Sequence, residues 1–229
     1  MNIFKNISLA EIKKIPLFSE YEDNELSSLL RHSGFEIGTY RKKERLIAEQ
    51  REEPLFGIVL GGKIFAVHES SEGQNSLLHT VFPGELFEIT AFPRQQGDNF
   101  WLAAEPSRVL LIKGEHLYAL CKRSPFMGKK LIYDLMLELA DANRKMLEKF
   151  CHISRHTLRR KILSFLAEQY READSNTFEV RLNRQELADY LGADRSALSA
   201  ELAKMKKAGM IDYRRNEFTV LDKAAFAYI

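Results

Sequence analysis

The chain has 229 residues, 45% hydrophobic and 29% charged, a length that suits two domains with real cores better than one. Its net charge of +2 is uneven: residues 151–229 hold 14 Lys and Arg against 11 Asp and Glu, enough for a local nucleic-acid patch but not for a strongly basic protein. Two cysteines, Cys121 and Cys151, exclude a disulfide framework. With no signal-peptide pattern and no apolar run near the ~20 residues of a membrane span, a cytoplasmic protein without a membrane partner is expected.

Residues 8–33 read as helical, with a break at Pro16-Leu17-Phe18 and then an apolar stripe of Leu26, Leu29 and Leu30. From Phe35 to Ile112 the pattern shortens. The runs FEIGTY, RLIAEQ, LFGIVLGGKIFAVHE, NSLLHTVF, FWLAA and RVLLI are β-prone and separated by Gly, Pro, Ser and Asn, which predicts an all-β barrel or sandwich. Gly61-Gly62 and Glu72-Gly73 suit hairpin turns. Phe82, Phe87, Phe92, Phe100 and Trp101 crowd one stretch, where they either line an apolar pocket for a planar ligand or fill the barrel core. Phe87, Glu88, Phe100 and Trp101, with Tyr133 from the next helix, form the candidate ligand pocket.

Among six histidines, only His152 and His156 are closely spaced, and they read as a solvated pair at a domain joint, so no metal site is expected. A heme on a single axial His leaves no spacing signature and stays open; an iron–sulfur cluster, which needs about four cysteine ligands, is excluded within one chain.

Pro125 opens a long helix. Gly128, Ile132, Leu135, Leu139, Ala142, Met146, Lys149 and Ile153 alternate by four and three as a heptad seam, of which Ile132, Leu135, Leu139, Ala142 and Met146 are the dimer candidates. The same stripe suits packing on the helix's own barrel. Leu131, Met136 and Leu147 make a second face for that purpose. Ser154 can cap a further helix with Leu158, Ile162, Phe165 and Leu166 inward, which leaves Cys151–His156 as a hinge. Arg159, Arg160 and Lys161 read as a solvated helix face. Three segments result: a β-barrel with N-terminal helices at 1–124, a dimerisation helix at 125–153, and a domain at 154–229.

In that last segment, Asn183 with Glu186 forms a capping-box start, and Leu187, Ala188 and Leu191 mark one buried face. Gly192 suits a left-handed turn. Asp194 caps a second helix with Leu198, Leu202 and Met205 inward, closed by Gly209. Met210 to Leu221 then reads as a two-stranded hairpin tipped by Arg214-Arg215-Asn216. Two helices on a tight turn followed by a basic hairpin make a winged helix-turn-helix, whose second helix enters the DNA major groove.

The run LNRQELADYLGADRSALSAELAKMKKAGMIDYRRNEFTVL resembles the DNA-binding domain of the Crp/Fnr family of bacterial transcription regulators, and the upstream order of elements fits that family over nearly the whole chain. The resemblance implies an α+β protein: an N-terminal jelly-roll of the cyclic-nucleotide-binding type, a long helix forming a parallel homodimer, and a C-terminal winged helix-turn-helix on double-stranded DNA. Arg195 matches an arginine that reads base edges in the catabolite-activator branch, Ser196 replaces that branch's glutamate, and Ser199 resembles a serine of the Fnr branch. Ala200 stands where arginine is common. Asn183, Arg184, Gln185, Arg214 and Arg215 are the candidate phosphate contacts. In relatives that bind cyclic AMP a Gly-Glu pair and an Arg-Ser pair cradle phosphate and ribose. Here Gly84-Glu85 is present, Glu88 replaces a usual Gly, and Asn99-Phe100 stand at the Arg-Ser place, which argues for a different small effector; Arg94 is the alternative cation. RNA polymerase is a further candidate partner, through the Glu172–Thr177 turn. The competing readings are a cupin-like metalloenzyme starting from His68 and His79, and a constitutive regulator whose barrel is purely structural.

Overall fold

The computed structural model describes residues 7–46, 54–73, 75–89 and 99–226. Phe92 and Arg94 lie outside the described residues. The chain divides into two compact units, Met1–Arg144 and Lys145–Ile229.

Three short helices open the first unit: α1 (Leu9–Ile12), α2 (Pro16–Ser19) and α3 (Asp23–His32). Pro16 starts α2 rather than interrupting the chain, because the first helical position has no intrahelical partner for an N–H. Among the described residues eight strands follow: β1 (Glu36–Tyr40), β2 (Arg45–Leu46), β3 (Leu55–Gly61), β4 (Ile64–Glu69), β5 (Asn75–Val81), β6 (Leu86–Glu88), β7 (Asn99–Ala103) and β8 (Ser107–Lys113). They form two antiparallel sheets, β1-β8-β3-β6 and β2-β7-β4-β5.

Val59, Ile64, Ala66, Val81, Phe87, Trp101 and Val109 fill the space between the sheets. Alternate residues of the same strands, Ile58, Leu110 and Ile112, join Phe18, Leu26, Leu29 and Leu120 in a second core beneath the helices. Strands β3 and β8 are thus covered on both faces, which explains why they read as nearly unbroken apolar runs.

Two helices complete this unit's outer layer, α4 (Gly114–Arg123), which no sequence signal indicates, and the part of α5 (Pro125–Ile153) that runs to Arg144. A Cβ at Gly128 would lie 2.6 Å from Cys121 Sγ, so Gly128 sits at a close approach of α5 to α4 rather than on an outward seam. Leu131 and Leu135 enter the helical core; Leu135 is 4% exposed and is not free for a partner, contrary to the heptad assignment. Met136 and Leu147, expected against the barrel, are exposed instead. The reason is a rotation of the helix: its inner face runs through Gly128, Leu131 and Leu135, and Tyr21 Oη donates to Asp134 at 2.8 Å on that side.

The division between units falls inside α5, upstream of the expected hinge at Cys151–His156. The second unit contains α6 (Leu158–Ala173), β9 (Thr177–Glu179), α7 (Arg184–Tyr190), α8 (Arg195–Lys207), β10 (Ile211–Arg214) and β11 (Glu217–Val220). Thr157, not Ser154, caps α6 by accepting from Arg160 N at 3.3 Å; the Ser154 hydroxyl donates back to Cys151 O. His152 also departs from expectation. It is 3% exposed, with Nδ1 2.9 Å from Ser164 Oγ and its ring edge-on to Phe165, while His156 is exposed. Its Nε2 lies 2.9 Å from Glu168 Oε2, close enough for an ion pair but off hydrogen-bonding direction.

Candidate nucleic-acid interface

The interface rests on an apolar base. Ile162, Phe165 and Leu166 of α6, Leu187, Ala188 and Leu191 around α7, and Leu198, Leu202 and Met205 of α8 are all buried. The inward faces of α7 and α8 are therefore those that periodicity predicts, which turns the remaining face of α8 to solvent.

Both helix starts are fixed by side chains. Asn183 Oδ1 accepts from Gln185 N at 3.0 Å and Glu186 N at 3.1 Å, and Glu186 Oε2 accepts from Asn183 N at 2.9 Å, a complete capping box. Gly192 takes φ +59° in the turn, a left-handed conformation that disfavours a Cβ. Asp194 Oδ1 then accepts from Ser196 N at 2.8 Å and Ala197 N at 3.0 Å. These contacts fix where α7 and α8 begin and satisfy the opening amides of each helix.

Arg195, Ser196, Ser199 and Ala200 all lie exposed on α8, on one end of the helix beside the turn. Nearby charges are anchored away from that face. Arg159 Nε donates to Glu201 Oε1 at 2.5 Å, and Lys161 Nζ donates to Leu191 O at 3.1 Å, so two of the three α6 cations expected to be merely solvated brace α7 and α8. The Arg159 hydrogen bond, with charges of Arg159 and Lys204, holds the Glu201 carboxyl below the usual carboxylate range.

The wing has one strand more than expected. β11 pairs with β10 on one side and with β9 on the other, Phe218 opposite Phe178 with stacked rings. β9 stayed hidden because its partner lies some forty residues downstream. Arg214 and Arg215 are exposed at the tip, where Arg215 takes φ +56°. Gln185 is exposed with Nε2 on Asp189 Oδ1 at 2.8 Å. Arg184 is different: its guanidinium lies 5.1 Å over the Tyr213 ring and donates to Arg215 O at 3.0 Å. Burial lowers its pKa from the usual arginine value.

The aromatic candidates of the first unit separate. Phe87 and Trp101 pack at 4.6 Å within the inter-sheet core, and Trp101 Nε1 donates to Glu88 O at 3.1 Å. Phe100 faces the opposite side of β7, 3.6 Å beneath the Arg45 guanidinium, because neighbouring strand residues alternate. Tyr133 is exposed on α5 and joins none of them. Phe87 and Trp101 are core residues, and the five do not make one pocket. Asn99 Oδ1 lies 2.9 Å from His68 Nδ1, at the place where the resemblance puts an arginine.

Comparison with known proteins agrees with this geometry. A family model described as a cyclic nucleotide-binding domain matches residues 38–124, and one described as a Crp-like helix-turn-helix domain matches residues 160–229. The chain is 33% identical to the transcriptional activator protein FnrL of Cereibacter sphaeroides over 99 residues, 39% of this chain and 38% of that protein. It is 23% identical to the regulatory protein HlyX of Actinobacillus pleuropneumoniae over 94% of this chain and 89% of that one. Among solved structures, a CooA mutant from Carboxydothermus hydrogenoformans shares the fold with a TM-score of 0.68, at 19% identity over 96% of this chain and 94% of that chain. With a domain of the cyclic-nucleotide-binding type followed by a Crp-like helix-turn-helix, the chain belongs to the Crp/Fnr family of DNA-binding transcription regulators.

Proposed function

We propose that the chain works as a homodimer on a pseudo-palindromic operator, one α8 in each half-site, with a small effector in the first unit shifting its affinity. The observation that carries this is the exposed α8 face of Arg195, Ser196, Ser199 and Ala200, held by the Asp194 cap beside an arginine-tipped wing. Arg195 supplies the bidentate donor that suits guanine, Ala200 a methyl contact for thymine, and Arg214 and Arg215 suit phosphate. Half-sites would lie about one helical turn, ~34–36 Å, apart.

Dimerisation draws support from α5. Ile132 (39% exposed), Met136, Leu139, Met146 (58% exposed) and Phe150 keep apolar surface in solvent. With Asn143 they fall at spacings of four and three, the pattern of a coiled-coil seam. This seam keeps Ile132, Leu139 and Met146 of the five dimer candidates, replaces Leu135 by Met136, and leaves half-buried Ala142 at its margin.

An effector other than cyclic AMP is favoured by the occupants of the Arg-Ser place. Asn99 is engaged with His68, and the Arg45 guanidinium over Phe100 also pairs with Glu69 at 2.8 Å. Effector binding would couple to DNA affinity by typically ~1–3 kcal/mol. Family membership replaces the cupin-like enzyme with a regulator. Gel-shift titration of a selected operator, with and without small-molecule extracts, tests the proposal. A dimer retarded at 1:1 with one duplex, with affinity altered by an extract, is expected; a monomer that binds single half-sites regardless of extract contradicts it.

A further inference from the structure

The exposed face of α8 carries two hydroxyls whose protons are already committed. Ser196 Oγ donates to the Asp194 carboxylate, the same oxygen that accepts the Ser196 and Ala197 amides. Ser199 Oγ donates to the Arg195 main-chain oxygen at 2.9 Å. The direction of both bonds follows from their partners. The Ser196 hydroxyl, then the Ala197 and Ser196 amides, hold the Asp194 carboxyl below its ordinary range and hence ionised at neutral pH. An ionised carboxylate and a carbonyl are acceptors only, so each serine must be the donor. A hydroxyl has one proton and two lone pairs; both serines therefore turn lone pairs toward whatever docks on this face.

Major-groove edges differ in what they offer. Adenine N6 and cytosine N4 donate, whereas guanine O6 and thymine O4 accept. A freely rotating serine pairs with either class. We propose that Ser196 and Ser199 are polarised acceptors that select amino-bearing bases, adenine or cytosine, on the strand each one faces. Every base pair carries one amino and one keto group in the groove, so the selection is of orientation: A·T over T·A and C·G over G·C. A keto oxygen in that place would meet a lone pair, and turning the hydroxyl to suit it would give up a hydrogen bond at the helix start. The inference rests on α8 entering the major groove and adds a direction to its code: Arg195 as donor seeks guanine, and the serines as acceptors seek amino groups.

In-vitro selection from random duplex DNA with full-length protein tests this, using the wild type, Ser196→Ala, Ser199→Ala and Asp194→Gly. The wild type is expected to enrich adenine or cytosine at one position per serine, beside the guanine chosen by Arg195. Each alanine variant should lose about five- to tenfold discrimination at its own position alone. Asp194→Gly keeps a tolerable N-cap but removes the oxygen that accepts the Ser196 proton, which frees the hydroxyl to donate. Tolerance should then widen to thymine and guanine at the Ser196 position, with the Ser199 position unchanged. Serine-dependent enrichment of thymine or guanine by the wild type overturns the proposal, as do alanine variants with unaltered preferences, and in either case α8 remains the reading helix. A wild type that enriches no sequence overturns the DNA-reading role itself, and the proposal with it.

Discussion

The Arg184 guanidinium donates to the Arg215 main-chain oxygen at 3.0 Å, tying the first turn of α7 to the tip of the wing. Arg215 holds φ +56°, a conformation that L-residues other than glycine adopt at a cost, and the tether helps keep it there. We infer from this contact that Arg184 positions the wing rather than binding phosphate. Arg184→Ala is expected to weaken binding to specific and random DNA alike by about five- to tenfold, while the slope of log affinity against log salt stays unchanged. A slope reduced by about one would make Arg184 a phosphate contact after all.

Arg195, exposed at the start of α8, is the residue we propose for the strongest base contact. Arg195→Ala should cost about 1–3 kcal/mol per half-site on the selected operator and relax preference for guanine at one position. Binding to random DNA should fall much less. Competition titrations measure both, and an equal loss on the two DNAs would remove Arg195 from the base-reading set.

Leu135 and Leu139 lie one turn apart on α5 and should respond in opposite ways. Leu135→Ala opens a hole in the chain's own core and should lower unfolding stability by about 2–5 kcal/mol with the oligomeric state unchanged. Leu139→Glu puts a charge on an exposed seam and should yield a folded monomer by light scattering. A Leu139→Glu variant that stays dimeric would move the interface elsewhere.

Lys149 gives the second unit a pH signature. Its ammonium is buried 4.7 Å over the Tyr190 ring, and burial pulls its pKa from 10.5 down to about 8. Between about pH 8 and 10.5 the unfolded chain binds the extra proton, so this group makes stability rise with pH across that window. Burial raises the Tyr190 pKa, whose contribution is present below the ordinary value of 10.0 and is lost above it, so the net rise should end near pH 10. Lys149→Met should be more stable than wild type at pH 7 by on the order of 1–2 kcal/mol and should lack the rise between pH 8 and 10. Denaturant titrations across that range check the sign.

The parts of the second unit that were legible in the sequence are those governed by local rules. Asn183 with Glu186, Gly192, Asp194 and Gly209 each have one favoured place in a helix–turn–helix, and each occupies it. What stayed hidden depends on distant partners. Strand β9 is defined only by β11, α4 begins without a side-chain cap, and Thr157 outcompetes Ser154 because α5 continues through Ile153. On α5 the stripe through Leu135 and the stripe through Met136 differ by one residue, and a periodicity between 3.5 and 3.6 does not say which faces the barrel. The aromatic cluster divided for the same reason: alternation along β7 sends Trp101 inward and Phe100 outward, but only the fold says which side is the core.

The most direct test of a symmetric, helix-turn-helix regulator is hydroxyl-radical footprinting of the full-length protein on its selected operator, joined to methylation protection of its guanines. Two protected patches related by two-fold symmetry are predicted, with centres about 34–36 Å apart along the duplex. Guanine protection in each half-site should disappear in Arg195→Ala. A single asymmetric patch, or guanine protection that Arg195→Ala leaves intact, would contradict the account.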